Sequence, residues 1–292
     1  MLHKIENERL SCEITSLGAE IRSLLDKDTG KEYIWQIDQK IWRSSSPVLF
    51  PAIGKIKSDK IVYKSDYYDM PKHGIIRDNQ NLIVKSYGDS KCSFTLNSSD
   101  KTLSQYPFRF TFEVIYELRD HQLIMSYCII NNDKVDMPFI CGGHTAYSCP
   151  LNDDTELSDY IIEFPKKLDL MALTLGETGL LSDKKRNIAS NINQLELSDD
   201  LFNEDALIFE DINIEWVRLK KKNESKGITV KFSGYPHLAL WSKPGADYIC
   251  IEPWLGLPDR EEESIDITQK STHKYLKPDE EFRIEIETVI EG

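Results

Sequence analysis

No stretch of this sequence approaches the ~18 consecutive apolar residues of a membrane-spanning helix, and the opening MLHKIENERL lacks the apolar segment of a secretory signal. These two absences predict a soluble, cytoplasmic protein with no membrane partner. Basic residues are also scarce: 36 Lys and Arg stand against 49 Asp and Glu, a formal net charge of −13. Such a field repels polyanions, so nucleic acid is excluded as a partner. A neutral small molecule suits the balance, and a phosphorylated one needs local basic groups. There is no CxxC pair either. The six cysteines, Cys12, Cys92, Cys128, Cys141, Cys149 and Cys250, are scattered and several lie within apolar runs. That pattern predicts buried free thiols in a reducing compartment, with neither a disulfide framework nor a zinc site.

Long amphipathic helical periodicity is missing too, and alternation of period two takes its place. FRFTFEVIYEL (108–118) sets Phe108, Phe110, Phe112, Val114, Tyr116 and Leu118 on one face and Arg109, Thr111, Glu113 and Glu117 on the other. It reads as a strand. After the polar RDHQ, LIMSYCII (123–130) is apolar at nearly every residue, which predicts a hairpin partner buried on both faces. Further strands are expected over 82–88, 92–98, 160–164, 228–232, 237–242, 248–254 and 282–290. Two short helical turns are expected, in SDKTLSQ (99–105) and near LSDDLFNED (197–205). Residues 165–200 are poorly patterned and read as loop, while the basic KKKNESKG (220–227) reads as a solvated hairpin tip. The expected fold is all-β: a single antiparallel sandwich or barrel over residues 1–292 with few short helices.

Of the six histidines, His3, His121 and His273 lie in polar or terminal surroundings and read as surface residues. His237 opens an apolar strand and reads as a satisfied structural histidine. His73 and His144 differ, because each adjoins glycine at a strand–loop boundary, in MPKHG (70–74) and CGGHTAY (141–147). Glycine lets a chain turn and a ligand approach the backbone, so a histidine beside it can face a cleft. The same pattern also suits turn glycines with a hydrogen-bonding core histidine. Within YICIEPW (248–254), Glu252 sits in apolar company. It is either a buried carboxylate whose pKa is raised toward that of a general base, or a solvent-facing carboxylate on an edge strand ended by Pro253. Trp35, Trp42, Trp241 and Trp254 are available to pack on sugar rings.

The ordered segments PVLFPAIG (47–54), MPKHGIIRD (70–78), YPFRF (106–110), MPFICGGHTAY (137–147), EDALIF (204–209) and CIEPWLGLPD (250–259) together resemble the aldose 1-epimerase (galactose mutarotase) family, in particular its shorter bacterial branch. The likeness runs over nearly the whole chain. It implies a large antiparallel β-sandwich and an isomerase that interconverts the α and β anomers of a sugar without metal or cofactor. It also implies His144 as general acid, Glu252 as general base, His73 as a substrate-binding residue and Asp205 as a holder of sugar hydroxyls. The arginine that better-studied members use before the HG motif is replaced here by GKIK, which leaves Lys55 or Lys57 for its role. Arg77 matches a position shared with the hexose-6-phosphate mutarotase branch.

The resulting expectation is acid and base facing each other across a pocket one pyranose wide, with Gly142 and Gly143 clearing space for the sugar. The partner is a free aldose or a sugar phosphate, and the protein a monomer or homodimer. Rival readings are a glycoside hydrolase using Glu252 with Asp205 or Asp259 and a non-catalytic carbohydrate-binding protein on the same fold.

Overall fold

The computed structural model describes residues 1–152 and 155–291. Its largest element is a 15-stranded sheet among the described residues, whose named pairings are antiparallel throughout. One half is the meander Ile83–Ser86, Lys91–Asn97, Phe110–Arg119 and Gln122–Asn131, continued by Glu281–Ile290. Alternation explains it. Phe110, Phe112, Val114, Tyr116 and Leu118 are buried while Arg119 is exposed, as the period-two pattern requires. The strand Gln122–Asn131 is central, paired on both sides, and buries Ile124 and Cys128 as well as Leu123, Met125, Tyr127 and Ile129.

The other half centres on Tyr248–Trp254, whose seven residues are all buried. It pairs with His237–Trp241 on one side and with the short strands Gly142–Gly143 and Thr145–Ser148 on the other. The halves lie face to face. Tyr147 Oη meets Thr288 Oγ1 at 2.6 Å, Tyr127 Oη donates to Gly142 O at 3.2 Å, and Ile286 and Met125 crowd Gly143. Tyr147 is therefore core packing. A three-stranded sheet, Leu2–Glu6, Leu10–Thr15 and Ile21–Asp26, joins the same core. This is the expected antiparallel β-sandwich.

Ser99 caps a single helical turn, Asp100–Leu103, and Asp199–Phe202 forms a 3₁₀ turn, as expected. All six cysteines are free and buried. The basic segment 220–227 is the turn between Trp216–Lys221 and Gly227–Lys231, although Lys220 is buried and paired with Glu163 at 3.4 Å. No helix among the described residues is long and apolar enough to cross a membrane.

Residues 165–200 depart from the sequence reading. They contain most of a long hairpin, Tyr160–Leu175 with Leu181–Glu196, not loop. The second strand is exposed along most of its length and the pairing shifts register at four places. Neither condition imposes apolar alternation, so the pattern had nothing to record.

Candidate active site

The register of the central strands sets the site. Gly142 pairs with Trp254 and Thr145 with Ile251, so one unbroken antiparallel register places His144 opposite Glu252, with Ala239 opposite Glu252 on its other side. The pleat then sorts the side chains. Ile249 and Ile251 enter the main core, and Cys250, Glu252 and Trp254 take the other face. His144 Nε2 lies 3.3 Å from Glu252 Oε2. Both are enclosed, at 8% and 1% exposure.

Gly142 and Gly143 serve this arrangement differently from the expectation. A Cβ on Gly142 would fall 2.7 Å from Trp254 Cδ1 and 2.8 Å from Pro253 O, and one on Gly143 would meet Ile286 at 2.8 Å. The glycines let a short strand press against Tyr248–Trp254 and the opposing layer; the space they leave is filled by protein, not by a ligand. The separation of His144 and Glu252 also differs from a pyranose width, since the two groups nearly touch.

A cavity of about 380 Å³ opens over this pair, within the usual range of roughly 300–1,000 Å³ for small-ligand sites. His73, Arg77, Lys55, Asp205 and Trp254 all line it with His144 and Glu252. These seven residues expected from sequence thus share one cavity. Of the two lysines, Lys55 faces it and holds Thr178 O at 2.7 Å. Lys57 instead turns to the carbonyls of Glu261 and Glu263. Asp259 is spent elsewhere, in a fully buried ion pair with Lys270 and as acceptor for the Lys57 backbone N–H.

Aromatic rings wall His144. Trp42 stacks on it at 5.2 Å and 28°, Trp241 meets it edge-on at 5.9 Å, and Trp42 also stacks on Tyr248 at 5.5 Å. Trp35 packs behind, against Tyr248, outside the cavity lining. His73 presents its edge to His144 at 5.4 Å and has a φ of +70°. Its backbone N–H donates to Gly54 O and its Nδ1 accepts from Gly54 N–H at 3.2 Å, which leaves Nε2–H as the donor of a neutral ring.

Burial dominates the titrations. It pushes Glu252 well above the ordinary carboxylate range and lowers His144 to about 3, with the nearby Arg77 charge acting in the same direction on His144. His73 is likewise driven well below its usual value, first by burial and then by His144. His144 Nδ1 is buried without a partner. His144, Cys250 and Glu252 bring three donor atoms within 4.8 Å of one another. They suit a metal ion poorly, because burial raises the Cys250 thiol far above neutrality and Lys72 acts on Glu252 from the same cavity.

A model of the family described as aldose 1-epimerase matches residues 1–288. The chain belongs to the aldose 1-epimerase family. Among its relatives, protein LacX (chromosomal) of Lactococcus lactis subsp. lactis is 30% identical over 274 residues, 90% of each chain. A galactose mutarotase related enzyme from Lactobacillus acidophilus superposes with a TM-score of 0.93 at 30% identity, covering 100% of this chain and 98% of its own. A galactose mutarotase-like protein from Lactobacillus casei ATCC 334 gives 0.91 at 29% identity, over 99% and 100% of the two chains.

In this aldose 1-epimerase family member, the sequence reading overlooked several contributors to the cavity, among them Lys72, Leu175 and Gly179. Lys72 stands one residue before His73, and its position in MPKHG was the available signal. Leu175 and Gly179 come from the hairpin read as loop. Among the other histidines, His237 is structural as expected, its Nδ1 accepting from Asp211 N–H at 3.1 Å. His3 and His121 are half-buried at the periphery. His273 is not a free surface residue: its Nδ1 is enclosed without a partner, and burial lowers its pKa to about 3.

Proposed function

We propose that this protein interconverts the α and β anomers of a hexose by ring opening at the Glu252–His144 pair. The observation that carries the reading is the 3.3 Å approach of His144 Nε2 to Glu252 Oε2 in a cavity sized for a small ligand. Ring opening needs one proton taken from the C1 hydroxyl and one delivered to the ring oxygen O5. Those two oxygens share a single carbon, so the groups serving them must stand close together.

Glu252 acts as the base toward the C1 hydroxyl and His144 as the acid toward O5. Rotation of the C1 aldehyde then presents its other face, and the reverse transfers close the ring as the opposite anomer. The pair holds one proton throughout. Burial disfavours the ion pair and favours carboxylic acid beside neutral imidazole. That neutral arrangement is the state reached once Glu252 has accepted and His144 has donated, so the first transfer starts from the less populated ion-pair form and the ring-closing half-reaction starts from the favoured one. No net oxidation occurs, and the roles reverse between the two half-reactions.

His73 Nε2–H offers a donor to a sugar oxygen, Asp205 an acceptor for hydroxyls, and Trp254, Trp42 and Trp241 apolar faces for the ring. Exchange NMR between anomers tests the reading. Cross-peaks faster than the spontaneous rate are expected for at least one hexose or hexose phosphate. Tight sugar binding with an unaltered exchange rate, or release of a reducing sugar from a glycoside, overturns it.

A further inference from the structure

The cavity carries a charge opposite to that of the chain around it. The protein has a formal net charge of −13, yet Lys55, Lys72 and Arg77 all line this one cavity. Against them stand one exposed carboxylate, Asp205, and Glu252, which faces His144. Among the described residues, none of the three cations has a carboxylate oxygen within 4.0 Å, because nearby acids are engaged elsewhere: Asp78 pairs with Arg43 at 3.0 Å and Glu261 bonds Thr178. Lys55 Nζ reaches only a carbonyl, Thr178 O. Arg77 touches Ser44 Oγ at 3.5 Å, and its Nε is buried without a partner. The charges of Lys72 and Arg77 both bear on His73 and His144, so they act inward on the site and not only on solvent.

Lys55 and Arg77 are partly buried, and such cations left without counter-charge cost free energy that a ligand of opposite sign recovers, while the exposed Lys72 adds its charge at the rim. A neutral hexose cannot supply that charge; its hydroxyls are served as well by uncharged donors. A phosphate monoester supplies about −1.5 to −2 with three acceptor oxygens, and Arg in particular offers a fork matched to it. The local cations also overcome the repulsion that the chain's overall charge exerts on an anion.

Resting on the epimerase reading above, we infer that the substrate class of this site is an aldose phosphorylated away from its anomeric carbon, with the phosphate held by Lys72, Arg77 and Lys55. The position of the phosphate follows from the chemistry. Ring opening consumes the proton of the C1 hydroxyl, so a sugar esterified at O1 cannot react, and the anomeric edge must meet Glu252 and His144. The ester therefore sits toward the far end of the sugar, as in an aldose 6-phosphate.

The test compares anomer exchange of glucose 6-phosphate with glucose, and of galactose 6-phosphate with galactose, at low and at 0.5 M ionic strength, where exposed charge pairs are strongly screened. The expected result is a kcat/KM at least about tenfold higher for the phosphorylated member of one pair, falling as salt is raised. In Lys72→Met, an exposed position whose loss leaves the fold intact, that preference shrinks by about tenfold, mainly through KM. Equal or faster exchange of the free sugars, with no salt dependence, overturns the inference and leaves the epimerase reading standing. Exchange of neither class overturns both.

Discussion

His144 and Glu252 occupy cross-strand positions in one antiparallel register, and their side chains approach to 3.3 Å on the face of the sheet turned away from Ile249 and Ile251. The pairing is a consequence of strand geometry, since residues directly opposite on one face are neighbours by construction. His144 lies between the short strands Gly142–Gly143 and Thr145–Ser148, in register with Glu252. On the proposed mechanism, replacing either member by an amide side chain is expected to remove a proton carrier and leave the backbone pairing unaltered. Glu252→Gln and His144→Asn should each lower kcat by about 10²- to 10⁴-fold, with sugar binding by saturation-transfer NMR retained. Near-native exchange in either variant refutes the assignment.

The directions of the two titrations define a pH profile. On the proposed mechanism activity requires one proton on the pair, and a second is added only when pH falls through the His144 value, which burial depresses to about 3. The last proton leaves only when pH rises through the Glu252 value, which burial raises well above the carboxylate range. kcat/KM should thus be flat around the ordinary imidazole pKa of ~6.5, declining on the acid side only well below it. An acid limb centred near 6.5 in a pH–rate series contradicts the buried, one-proton pair.

The sequence disclosed the fold where burial differs between the two faces of a strand, and lost it where burial does not. Phe110 to Leu118 alternate because one face enters the core, and YICIEPW coincides with Tyr248–Trp254 because every residue there is buried. The Leu181–Glu196 strand faces solvent along most of its length, so its composition followed solubility and gave no periodicity. His73 and His144 were legible as histidines beside glycine, yet the reason for the glycines was not. Whether Gly142 clears room for a sugar or for Trp254 depends on contacts about 110 residues away in the chain, which no local pattern encodes. Lys72 escaped notice for a related reason: a lysine beside a motif is ordinary until the fold turns it inward.

His73 is held by backbone that only glycine permits beside it. Gly74 has a φ of +82°, and a Cβ there would lie 2.1 Å from Phe50 O. Gly88 has nearly the same φ, +80°, with nothing within 4 Å. Gly88→Ala should cost the left-handed strain alone, about 1–2 kcal/mol, whereas Gly74→Ala adds a backbone clash and should cost several kcal/mol while displacing His73. Urea midpoints of the two variants give the comparison. Equal losses would mean that the Phe50 contact exerts no constraint.

Asp259, one of the two carboxylates offered as a partner to Glu252 in the hydrolase reading, is committed to structure. Its side chain is 3% exposed, pairs with Lys270 at 2% exposure, and accepts the Lys57 backbone N–H at 2.9 Å. Removing one partner of such a pair strands a charge in a medium that cannot solvate it, a loss of about 3–5 kcal/mol. Lys270→Met should therefore lower stability by that amount, because Asp259 must either stay ionised without its ammonium or take up a proton. Neutralising the stranded partner separates the charge effect from lost packing: Lys270→Met with Asp259→Asn retains an acceptor for Lys57 N–H and should recover more than half of the loss. Both variants should keep anomer exchange at temperatures where they remain folded, since neither residue lines the cavity. If the double variant is no more stable than Lys270→Met, the lysine contributes through its packed aliphatic stem and the ion pair is incidental.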